Sequence, residues 1–171
     1  MADPTASGAA PPRQHDTREA VLFGGVYGAV LASSMVAALT QYGHTSAKVR
    51  GYDAAWVLVT ALASALAHGY AHYIAERAPH RRWEALHAVR DEWPLVTAVL
   101  PTVLLLGGAR LGWFPAKGVE YAAFVLNIVI LFALGLLTAR WSARRWPMAV
   151  LMGAGDALLG VIVVVANALI K

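Results

Sequence analysis

Residues 118–139 read GVEYAAFVLNIVILFALGLLTA, and this stretch decides the fold class. Its one charged residue, Glu120, lies near its start. About 20 apolar residues in helical conformation, at 1.5 Å per residue, cross the ~30 Å hydrocarbon core of a bilayer. Only a helix satisfies its own backbone hydrogen bonds in lipid over such a run. The stretch therefore predicts a transmembrane helix.

Four similar stretches occur along the 171 residues, which gives five predicted spans at about 20–40, 54–76, 94–114, 118–139 and 147–169. Charged residues make up only 14% of the chain, whereas a soluble domain carries about 25%. The sequence predicts an all-α polytopic membrane protein, a bundle of five transmembrane helices embedded in the lipid bilayer. The excess of arginine over lysine, together with abundant alanine, indicates a bacterial source and hence the bacterial inner membrane.

The remaining segments are short and polar. Residues 1–19 are rich in proline, alanine, serine and charge, so we expect a disordered cytoplasmic tail before one membrane domain at 20–171. Within residues 79–93, apolar side chains recur at helical spacing between charges, which predicts a short amphipathic helix on the membrane surface. Those side chains are Trp83, Leu86, Val89 and Trp93.

Basic residues predict the orientation of the chain. Nine lie on one side of the predicted membrane: Arg13, Arg18, Arg77, Arg81, Arg82, Arg90, Arg140, Arg144 and Arg145. Four lie on the other side: Lys48, Arg50, Lys117 and Lys171. The positive-inside rule then places the N-terminus in the cytoplasm and the C-terminus outside. The net charge of +4 reflects this asymmetry and does not indicate a nucleic-acid partner.

Several classes of chemistry are excluded by what the sequence does not contain. The chain has no cysteine, so disulfides and cysteine-ligated zinc or iron–sulfur sites are impossible. No phosphate-binding loop, dinucleotide fingerprint or nucleophile elbow is present. No nucleophile–base set is evident either, so we do not expect an enzyme.

The second span carries a candidate metal site. His68, His72 and Glu76 are spaced four residues apart, so they share one face of an α-helix. Imidazole nitrogen and carboxylate oxygen are ligand types for zinc, iron or manganese. The pattern predicts a divalent metal ion or proton site. The alternative is that both histidines only form hydrogen bonds with neighbouring helices.

Asp156 is the second unusual residue, since an aspartate inside a span costs about 3 kcal/mol on insertion scales. It therefore predicts function or a hydrogen bond that fixes helix packing. Asp156 and His68 lie at similar depths from the cytoplasmic face, about 13 and 12 Å, so we expect them to meet inside the bundle.

Other intramembrane polar residues suggest assembly. Asn127 and Asn167 are expected to form interhelical hydrogen bonds, and Arg110 is expected to pair with Glu120. Small residues recur four apart, as at Gly24 and Gly28, which lets helices approach closely within the bundle or between subunits. The same spacing occurs at Ala61, Ala65, Gly69, Gly153 and Ala157.

The chain resembles the vacuolar iron transporter family across nearly the whole membrane portion. Residues 67–73, AHGYAHY, have the rhythm of that family's second-span motif, with His68 in place of a methionine and His72 in place of a glutamate. Residues 131–135, LFALG, and 152–155, MGAG, are similar to the end of its fourth span and the opening of its fifth. The resemblance implies a homodimer of five-helix subunits, a cytoplasmic N-terminus and transport of a divalent metal. The Ala-His-x-Tyr-Ala pattern also resembles uncharacterised bacterial integral membrane proteins.

Two functions compete on the sequence alone. His68, His72 and Asp156 favour a transporter of a divalent metal ion or protons. The absence of a continuous acidic path favours a non-transporting subunit or scaffold, in which polar residues serve packing. Convergence of the polar side chains on one cavity distinguishes the first function from the second.

Overall fold

The computed structural model describes residues 14–41, 46–75 and 90–170, and within them it contains helices and turns but no strand. The five long helices are α1 (Gln14–Thr40), α2 (Ala47–Ala75), α3 (Trp93–Arg110), α4 (Val119–Trp141) and α5 (Trp146–Ile170). Each is long and apolar enough to cross a membrane. The predicted fold class, an all-α bundle of five transmembrane helices, is confirmed. Glu76 and most of the predicted surface helix at 79–93 lie outside the described residues.

Two helices begin several residues before their predicted spans. α2 begins at Ala47 instead of residue 54. Arg50 and Asp53 form a buried ion pair within the first turns of this helix, so their charges do not require a solvated loop. α1 likewise begins at Gln14, within the predicted tail.

α3 stops at Arg110 instead of residue 114, because a glycine turn ends it. Gly112 has a φ of 80°, and the Trp113 N–H donates to the Gly108 carbonyl at 2.9 Å. This is the Schellman arrangement that ends a helix.

α1 is the hub of the bundle. It packs against all four other helices, and these follow one another around it in chain order, α2 on α3, α3 on α4, and α4 on α5. α2 and α5 stand at the two ends of this row and share no extended contact with each other. Phe23, Tyr27 and Ser34 are exposed on the surface of α1.

Glycines set the closest helix contacts. A Cβ atom on Gly24 would lie 2.8 Å from the backbone nitrogen of Leu95, and one on Gly28 would lie 2.5 Å from the Leu95 carbonyl oxygen. α1 and α3 therefore touch backbone to backbone. α4 and α5 cross in the same way, since a Cβ on Gly153 would lie 2.8 Å from the Phe132 carbonyl oxygen. The packing of Gly24, Gly28 and Gly153 within one bundle is confirmed.

Candidate functional site

His68 lies against aromatic rings of α1. Its imidazole centroid is 5.0 Å from that of Tyr27 and 6.1 Å from that of Phe23. Tyr27 and Phe23 are four residues apart on α1, and their rings stack with an interplanar angle of 8°. The half-buried His68 is thus held at the α1–α2 interface by ring contacts.

His72 faces an acidic residue that the sequence reasoning did not select. Its Nε2 atom lies 3.6 Å from Oε1 of Glu92, with the His72 side chain 62% exposed and the Glu92 side chain 10% exposed. Glu92 immediately precedes α3, where the partial positive charge of a helix N-terminus favours a carboxylate. Pro94 in the first turn marks a helix start, and that signal identifies Glu92 as an acid at a helix N-terminus.

Asp156 occupies a gap between α4 and α5. A Cβ atom on Gly135 would lie 2.5 Å from Oδ2 of Asp156, so the carboxylate fills the space that the absent side chain leaves. Within the described residues, no hydrogen bond or ion pair links Asp156 to His68. Asp156 contacts α4, His68 contacts α1, and α2 and α5 do not pack together. The structure therefore does not unite these two side chains as expected.

A metal centre is not assembled from the described residues. Among them, no group of three or more histidine, aspartate or glutamate side chains has a geometry that could hold a metal ion. His72 and Glu92 form a pair, while His68 and Asp156 lie at separate interfaces. Because Glu76 lies outside the described residues, the set of His68, His72 and Glu76 stays a prediction.

The two asparagines link helices. The Thr102 hydroxyl of α3 donates to Oδ1 of Asn127 in α4 at 2.9 Å, and both residues are fully buried. The Nδ2 group of Asn127 has no hydrogen-bond partner within the described protein. Gln41, which follows α1, donates from Nε2 to Oδ1 of Asn167 in α5 at 3.4 Å. The Asn127 bond thus joins the consecutive helices α3 and α4, and the Asn167 bond joins the residue after α1 to α5.

Arg50 is the centre of the most extensive polar network in the described chain. Its Nη1 donates to Oδ2 of Asp53 at 3.1 Å, its Nη2 to Oε2 of Glu120 at 2.8 Å, and its Nε to the Ala116 carbonyl at 2.9 Å. The Arg50 side chain is only 2% exposed. The network ties the start of α2 to the start of α4 and to the loop before it.

This network corrects two expectations. Glu120 pairs with Arg50 and not with Arg110, whose side chain instead packs against Gly51 of α2. Arg50 was expected among the free basic residues of a loop, but it is a buried residue of α2. The available signal was the i, i+3 spacing of Arg50 and Asp53 at the start of an apolar run, which is typical of a helical ion pair.

The polar side chains therefore occur at six separate contacts: α1–α2, α3–α4, α4–α5, the link from Gln41 to α5, the Arg50 network at one end of the bundle, and the His72–Glu92 pair at the other end. Comparisons with protein-family models, with curated proteins and with solved structures find no match to this chain.

Proposed function

We propose that the chain is a non-transporting membrane subunit or scaffold, whose intramembrane polar residues hold its helices together. The observation that carries this proposal is the dispersal of those residues over separate helix contacts. Asn127 binds Thr102, Asn167 binds Gln41, and Arg50 binds Asp53 and Glu120. Arg50, Asn167 and the Oδ1 atom of Asn127 have partners within the protein, whereas the Nδ2 group of Asn127 has none among the described residues. Hydrogen bonds between helices stabilise helix association in lipid.

The test combines ion flux with stability. The purified protein in liposomes is expected to give no iron, manganese, zinc or proton flux above that of empty liposomes. Thr102→Val is expected to lower the free energy of unfolding by about 1–3 kcal/mol, because it leaves the buried Asn127 without its donor. Thr138→Val is the matched control, since the Thr138 hydroxyl binds only the Leu134 carbonyl of its own helix. Its expected effect is below about 0.5 kcal/mol.

Two outcomes contradict the scaffold proposal. One is saturable flux in the parent protein that is abolished by His72→Ala or Asp156→Asn. The other is an equal effect of Thr102→Val and Thr138→Val on unfolding, which would remove the assembly role of the Thr102–Asn127 bond.

The competing function, transport of a divalent metal ion or protons, has one supporting contact. His72 and Glu92 place an imidazole nitrogen and a carboxylate oxygen 3.6 Å apart on a partly exposed surface. Both atoms are ligands for zinc, iron or manganese. Two ligands give a weak site, so this function ranks second. The liposome assay above decides between the two.

The proposal includes a cytoplasmic N-terminus in a bacterial inner membrane and assembly as a homodimer. The orientation is supported by the excess of basic residues on one side, such as Arg144 and Arg145 in the α4–α5 loop. Because the chain has no cysteine, a single Ser142→Cys variant reports on that loop alone. We expect a membrane-impermeant thiol reagent to label it only after the cells are opened. Labelling in intact cells would reverse the orientation.

A further inference from the structure

A groove opens on the bilayer-facing side of the bundle between α3 and α4. It has a volume of about 550 Å³ and is lined by Leu105, Tyr121, Ala122, Val125, Leu126 and Val129. Five of these side chains are aliphatic, and the hydroxyl of Tyr121 is the only polar side-chain group among them. The groove runs along the first half of α4, so it begins at the end of the bundle where α3 ends and α4 starts. We call it the α3–α4 groove.

The charges at this end of the bundle are unbalanced. The described charged side chains there are Lys48, Arg50, Asp53, Arg110, Lys117 and Glu120. Arg50 forms ion pairs with both acids, Asp53 and Glu120. Lys48, Arg110 and Lys117 have no ion pair in the described residues and are exposed. This end of the bundle therefore presents a net positive surface.

Lys117 is the cation nearest in sequence to the groove. It directly precedes Gly118, whose carbonyl accepts the Tyr121 N–H at 3.1 Å. Gly118 is the N-cap of α4 and provides no side chain to bind the first N–H groups of the helix. Glu120, the acid of the first turn, is engaged by Arg50. A phosphate here gains both the ammonium charge of Lys117 and the partial positive charge of the helix N-terminus.

We propose that the α3–α4 groove binds one acyl chain of an anionic phospholipid, with the lipid phosphate at Lys117 and the N-terminus of α4. An apolar groove at membrane depth is filled by hydrocarbon, and the net positive surface beside it selects a negative headgroup. A second copy of the chain is the poorer occupant. A two-fold interface here brings the same uncompensated lysine from each copy to one place, and like charges repel.

Native mass spectrometry of the delipidated protein tests this inference. The protein is titrated with phosphatidylglycerol and, separately, with phosphatidylcholine of identical chains. We expect one phosphatidylglycerol to bind about fivefold more tightly than phosphatidylcholine, the contribution of one lysine near a membrane surface. Lys117→Gln is expected to abolish that preference. Lys48→Gln makes the same charge change at the start of α2, which contributes no residue to the groove lining, and should retain it.

A second pair of variants tests the groove itself. Val125→Trp fills it, whereas Val165→Trp makes the same change on the exposed face of α5. Only Val125→Trp should lose the tightly bound lipid. Equal binding of the two lipids by the parent protein, or equal loss in Lys117→Gln and Lys48→Gln, would overturn the proposal. So would a Val125→Cys variant that forms disulfide-linked dimers in native membranes, since a second copy would then occupy the groove.

Discussion

Replacing Arg50 with leucine is expected to lower the free energy of unfolding by about 3–5 kcal/mol. The guanidinium is buried and holds two carboxylates and one backbone carbonyl. Its loss leaves the buried Asp53 and the partly buried Glu120 as neighbouring acids without a cation, and that desolvated charge is the main cost. Equilibrium unfolding in detergent, followed by tryptophan fluorescence, measures the effect.

Two further variants test whether the effect of Arg50→Leu comes from the buried charges. Arg110→Leu is the matched control, because Arg110 lies at the same end of the bundle, is exposed and has no ion pair in the described residues. It should change stability by less than about 1 kcal/mol. The triple variant Arg50→Leu, Asp53→Leu, Glu120→Leu should recover most of the loss, since it removes all three charges together. A triple variant as unstable as Arg50→Leu would show that the network acts through shape and not through charge.

Gly28→Leu is expected to destabilise the bundle by about 3 kcal/mol or more. A Cβ atom added at position 28 would lie 2.5 Å from the Leu95 carbonyl oxygen and 2.9 Å from Cβ of Ala98. A leucine side chain therefore separates α1 from α3, and backbone atoms cannot move aside as a flexible side chain can. The same unfolding measurement reports the cost.

Gly155→Leu is the matched control for Gly28. Gly155 is exposed on α5, and a Cβ atom there meets nothing within 4 Å. The larger side chain then projects into lipid, where leucine is well tolerated, and the unfolding free energy should change little. Similar losses in the two variants would mean that the glycine effect arises within each helix and not from the contact with Leu95.

The features that could be predicted from sequence were those that a single helix carries by itself. The five apolar runs and the Gly24–Gly28 spacing each have a local signal, and the structure confirms both. The spacing of Arg50 and Asp53 signals a helical ion pair, but the burial of Arg50 has no local signal, because it depends on Glu120, which lies 70 residues away. An arginine near the end of a span is therefore interpreted as a free loop charge until the contact between the starts of α2 and α4 is known.

The contacts of Asp156, a candidate site residue, likewise could not be predicted from the sequence. Its depth in α5 could be counted along the chain, and it matched that of His68. Depth does not determine the direction in which a side chain points around the helix axis. That direction depends on the gap at Gly135, which exists only once α4 and α5 have docked. Glu92 was missed for a related reason, since its contact with His72 joins two helices.

The central position of α1 has a consequence for how the chain is built. Of the five described helices, α1 is synthesised first and contacts the other four, and each helix from α3 onward packs against both α1 and its immediate predecessor. Each helix from α3 onward thus finds two of its packing partners already synthesised when it enters the membrane. Biogenesis can proceed strictly in the order of synthesis, without waiting for a distant C-terminal partner, as in the vectorial folding of an N-terminal unit during translation.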